Sequence, residues 1–163
     1  MTEPEVRQPA PAAHGSALMS LRARRQAGEA KLFTDLAVPR YDPPVFVRFR
    51  PIPQARLSSL LKKQRNDKSP EAGLLSNLAV LAECVEGVFV HDDNGEPIAP
   101  DGGSEWPKFD DDLAAMLGVD GGRAADVIRA LYFTDGDVAA TADRIIEWSG
   151  YSEKNVSEAT QGE

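Results

Sequence analysis

The chain has one cysteine and two histidines in 163 residues, and no apolar run of membrane-spanning length. With Cys84 alone there is no internal disulfide, which fits a reducing compartment. That thiol and two distant histidines do not compose a zinc set. A spanning helix needs about 18 consecutive apolar residues, so the chain reads as a protein that neither crosses nor sits in a membrane. The N-terminal stretch "MTEPEVRQPAPAAHG" lacks the charged-then-apolar layout of a secretory signal, and the protein is expected to stay where it is made. Phosphate loops are missing too, because neither "DGG" at 101–103 nor the Asp-Gly-Gly at 120–122 is followed by Lys-Ser/Thr. In "DDNGE" the glycine comes too early for a calcium loop, and the three aspartates at 110–112 read as helix N-terminal charge. No metal or cofactor is expected.

What is present is charge, unevenly divided. Residues 1–68 carry 13 Lys and Arg against 6 Asp and Glu, residues 69–163 carry 5 against 20, and the net charge is −8. Such polarity steers a chain toward oppositely charged partners or lets copies meet head to tail; it is equally what two solvated faces would give. A basic face built from Arg22, Arg24, Arg25, Arg48, Arg50, Lys62, Lys63 and Arg65, with Phe46 for stacking, is the one route to nucleic acid. The pI of about 4.8 and the acidic half disfavour it.

Along the chain, residues 1–15 read as a disordered tail rich in Pro, Ala and Glu. "SALMSLRARRQAGEA" (16–30) has a thin stripe at Leu18 and Leu21, Gly28 as its stop, and an arginine-rich face, so it is expected to order on a partner. Leu32, Thr34, Leu36 and Val38, then Val45, Val47 and Phe49, alternate with period two and predict two half-buried strands joined by "PRYDPP". Arg48 and Arg50 share a face with Phe46, placing positive charge on an exposed sheet surface.

"PQARLSSLLKKQRNDK" predicts a helix with Leu57, Leu60 and Leu61 inward and lysines in its last turn. "SPEAGLLSNLAVLAECVEG" carries the strongest helical signal, with Ser69 as cap, Leu74, Leu78, Leu81 and Val85 inward, and Gly87 as stop. "VFVHDDNGEPI" predicts a strand turning at Asn94-Gly95.

Residues 99–109 read as a linker. Three short helices over 110–118, 122–134 and 135–150 follow, with Asp110 capping the first and Asp135 or Asp137 the third. Residues 151–163 read as a second disordered tail. The predicted fold is α+β and mostly helical. A core domain over 16–98 packs helices on a small two- or three-stranded antiparallel sheet, and a C-terminal three-helix subdomain occupies 110–150.

"LAECVEGVFVHDD" (81–93) holds both Cys84 and His91, the residue types of a thiol–imidazole pair. Cys84 lies at the edge of an apolar helix face, and His91 lies beyond a helix-ending glycine. The stretch therefore reads as a helix-to-strand junction with a structural cysteine, and no catalytic residue is assigned.

Taken in order, "VPRYDPPVFVRFRPI" leading into a basic helix, "LLSNLAVLAECVEGVFV", then "FDDDLAAMLG" and an end in "EWSGYS" resemble the tail assembly chaperones of long-tailed phages that infect actinobacteria. The likeness covers residues 30–152 and rests on order and texture. It implies a non-enzymatic protein of the host bacterial cytoplasm that coats the tape-measure protein, keeps it soluble until tail tube subunits polymerise around it, and is then released. It also implies a longer form made by ribosomal frameshifting near the C-terminal end.

A second likeness covers the C-terminal part alone. "MLGVDGGRAADVIRALYFTDGDVAATADRIIEW" resembles a ubiquitin-associated three-helix bundle, although Gly118-Val119 stands where that fold has glycine and an aromatic. This implies an adaptor whose bundle binds a protein partner. Arg48, Arg50, Lys62 and Lys63 are the candidate contacts on a basic face, and Met116, Val119 and Ile146 are those on the bundle.

Overall fold

The computed structural model describes residues 10–151, with side chains of the first helix from Ser20 onward. The chain divides into two units, Met1–Leu32 and Phe33–Glu163. The first contains one helix, α1 (Ala10–Ala30). It starts six residues before the predicted Ser16, so residues 10–15 are helical rather than part of a tail; the predicted disorder of 1–9 lies outside the described residues. Arg25 and Glu29 pair at 3.1 Å one turn apart, and Gly28 does not stop the helix.

The second unit is α+β and mostly helical, in the order β1 (Thr34–Ala37), β2 (Phe46–Phe49), α2 (Gln54–Asn66), α3 (Ala72–Cys84), β3 (Val85–His91), β4 (Pro97–Ile98), α4 (Asp111–Leu117), α5 (Ala124–Leu131) and α6 (Asp135–Trp148). The sheet has four strands in the order β1-β2-β3-β4, all antiparallel, one more than the predicted maximum. The extra strand is β4, returned by a turn in which Gly95 has φ 79° and Asp92 Oδ1 accepts from the amides of Asn94 and Glu96.

Register follows the period-two pattern. Leu36 pairs with Val47 and Val47 with Val88, all buried on the core side. Asp35 pairs with Arg48, and Phe46 with Phe89, on the other face.

Helix α3 runs into β3 without a loop, its C-cap Val85 already extended. Gly87, predicted as the helix stop, is instead inside β3, where pairing of a valine-rich segment with β2 overrides the glycine signal. A β-carbon there would sit 2.8 Å from Trp106 Cβ, so the missing side chain lets Trp106 lie on the sheet. The expected Ser69 cap is also displaced. The N-cap is Glu71, without a side-chain bond, and the Ser69 amide donates to Asp67 Oδ1 in the preceding turn. That bond, first of all, holds the Asp67 carboxyl below its usual range.

The C-terminal end obeys its caps more closely. Asp110 Oδ1 accepts from the Leu113 amide at 3.0 Å, and Gly118 closes α4 in the left-handed region at φ 73°. Thr134, rather than either aspartate, caps α6 by accepting from the Asp137 amide.

The three C-terminal helices do not build a separate core. One buried cluster runs from Val47 and Phe49 through Leu78 and Leu81 of α3 to Ile128, Val138 and Ile145. Nor is 99–109 a free linker: Ala99, Pro107 and Phe109 are buried, and the Val88 amide donates to Pro107 O at 2.8 Å. Its Gly and Pro content marked a loop, and the apolar residues between them dock it. Of the predicted tail 151–163, Tyr151 is packed at the end of α6, its hydroxyl donating to Ile52 O, while 152–163 lie outside the described residues.

Candidate protein-binding surface

Cys84 and His91 belong to different surroundings. Cys84 ends α3 in the core at 2 % exposure, and burial pushes its thiol up to about 12, so it stays protonated and unreactive at neutral pH. His91 ends β3 on the outer face, its ring 4.9 Å from that of Phe46 and 5.6 Å from that of Phe89. Among the described residues no group of three or more His, Cys, Asp or Glu is placed to hold a metal. No described helix is long and apolar enough to cross a membrane.

The outer sheet face carries Arg48, but not as free charge. Its guanidinium lies 3.6 Å from the Phe33 ring centroid and 4.9 Å from that of Trp106, which itself stacks on Phe89 at 4.4 Å. Asp35 receives Arg48 at 2.7 and 3.0 Å, and Glu86 binds both Arg48 and Arg50. The Asp35 hydrogen bond is the main reason the Arg48 pKa is raised. The expectation of an exposed positive sheet is thus corrected in part: Arg48 is covered by aromatic rings and acids, and Arg50, still 36 % exposed, pairs with Glu86.

A different surface forms around α2 and α3. "LL" occurs at 60–61 and again at 74–75, and two adjacent leucines on a helix cannot both face one neighbour. Leu60 and half-exposed Leu75 look onto a 210 Å³ cleft between α2 and α3, whose rim includes Lys63. Leu61 looks the other way, into a 520 Å³ cleft between α2, α3 and α6 with Leu57, Val80, Ile146 and Tyr151. Gln64 and Ser76 line both, so the two clefts adjoin. The Ile52 amide donates to Ser149 Oγ, and Ser149 Oγ–H donates to Ile145 O, which fixes the end of α6 beside the start of α2.

Of the predicted contacts, the structure brings Lys63 and Ile146 onto these adjoining clefts, with Lys62 exposed beside Lys63. Met116 instead lines an open hollow with Trp106 and Lys108, and Val119 is 42 % exposed just past α4. Sequence reasoning missed Leu75, Tyr151, Asp143 and Glu147. The leucine doublets were the available signal for the first; the others required knowing that α6 packs on α3. Chemically, the furrow offers an apolar floor with polar edges, suited to the apolar side of a helix laid across it. No known family, curated protein or solved structure matches the chain.

Proposed function

We propose that the chain is a phage tail assembly chaperone, a holdase of the host bacterial cytoplasm that binds the tape-measure protein and hands it to polymerising tail tube protein. The observation that carries this reading is the apolar cleft between α2 and α3, with Leu75 half exposed at its edge. A long helical client needs many such grooves along its length, each covering two or three apolar turns. The resemblance in element order supplies the client's identity. Opposite charges on the two halves of the chain favour lining up several copies.

The test is co-expression with the tape-measure protein encoded in the same genome. Wild-type chain should keep that client soluble and co-purify with it, and Leu75→Arg, altering an exposed position, should lose the client while remaining folded. A client that precipitates beside a monodisperse chain would reject the reading. Binding through apolar burial should survive about 0.5 M salt, whereas a nucleic-acid complex would weaken steeply.

A second reading, an adaptor that binds a protein partner through its C-terminal helices, draws on Gly118 in the left-handed region followed by exposed Val119. Loss of partner in Val119→Arg but not in Leu75→Arg would favour it.

A further inference from the structure

We infer that α1 of one copy docks in the cleft between α2, α3 and α6 of a second copy, joining chains head to tail. Every described side chain of α1, from Ser20 to Ala30, is exposed, and Leu21 is 64 % exposed. A 21-residue helix with no buried described side chain lacks the packing that sustains most protein helices. Its Arg22 and Arg24 have no ion-pair partner among the described residues, and Arg25 has only the solvent-exposed pair with Glu29.

The cleft on the second copy is the complement. Asp143 and Glu147 are the charged residues that line it, and neither side chain has a hydrogen bond or ion pair among the described residues. They stand one turn apart on α6 and bracket Ile146, whose side chain enters the apolar floor. On α1, Leu21 is followed at the next turn by Arg24 and Arg25. α1 thus offers one apolar side chain with arginines three and four residues on, α6 offers one with acids three residues before and one after, and the signs are opposite.

The contact joins two different surfaces, so it is heterologous: it continues into a row or closes into a ring. On the reading proposed above, such a row would follow the client's length. The contact itself needs no client, so its test stands apart from that reading.

The experiment uses the full chain alone, with molar mass followed by analytical ultracentrifugation across two decades of concentration. Wild-type mass should rise with concentration and fall back in about 0.5 M salt, where screening reaches only a few ångström. Arg24→Glu with Arg25→Glu, and separately Asp143→Lys with Glu147→Lys, should each weaken self-association by about tenfold or more. Mixing the two variants should restore association with the two species in equal numbers, which also shows that both fold. A wild-type chain that stays monomeric throughout overturns the inference, as do charge reversals that leave association unchanged or a mixture that stays unassociated.

Discussion

Helices α1 and α3 show two ways of being helical. α1 has 21 residues, many of them Ala, Arg and Gln, and none of its described side chains is buried. α3 has 13 residues and buries Ala72, Ser76, Leu78, Val80, Leu81 and Cys84 against α2, α5, α6 and the sheet side of the core. Local propensity accounts for the first and tertiary packing for the second. The difference teaches where mutations should be felt. α3 is the element on which the second unit's core is assembled, whereas every described side chain of α1 is exposed.

The sharpest way to break this comparison is a pair of leucine truncations. Leu81→Ala, at a fully buried position, should cost about 2–5 kcal/mol in urea unfolding. Leu21→Ala should change the stability of the isolated chain by less than about 0.5 kcal/mol. Equal effects would mean that α1 is packed after all. Next in size is Gly87→Ala, whose new β-carbon must displace Trp106 or bend β3; a loss of about 1–3 kcal/mol is expected, with altered tryptophan fluorescence.

The smallest effect near neutral pH concerns Cys84. Burial raises its native pKa to about 12, against about 8.5 in an unfolded chain. The native state therefore holds the proton more tightly, and the stabilisation is whole below about pH 8.5 and declines above it. The slope approaches about 1.4 kcal/mol per pH unit. Tyr132, also pushed up by burial, adds a decline of the same sign at higher pH. Cys84→Ala should flatten the fall in unfolding free energy between pH 8.5 and 10; an unchanged slope would place the titration elsewhere.

Much of this fold was legible because single residues carried the signals. The alternation of Leu36, Val47 and Phe49 set which strand faces turn inward, Asp110 and Gly118 bounded α4, and Asn94-Gly95 turned β3 back. Misreadings arose where a local signal met a long-range contact. Gly87 looked like a helix stop because glycine usually is one, but its role is to admit Trp106, 19 positions away. Residues 99–109 looked like a linker by composition, though Pro107 and Phe109 are buried.

The charged surface was read least well. Arg48 and Arg50 alternate correctly on the outer face, but no periodicity announces that Asp35 and Glu86 will meet them. The furrow was visible only in fragments, as Lys63 on α2 and Ile146 on α6. Its shape depends on α3 packing against helices before and after it in sequence.

The flanks of the sheet have a consequence for solubility. One flank is β1, four residues long with Asp35 in its middle, and the other is β4, two residues long with a proline. Short, charged or proline-bearing flanks are poor templates for adding foreign strands. The described sheet edges are then poor seeds for cross-β growth, which leaves helical faces as the surfaces more open to other chains.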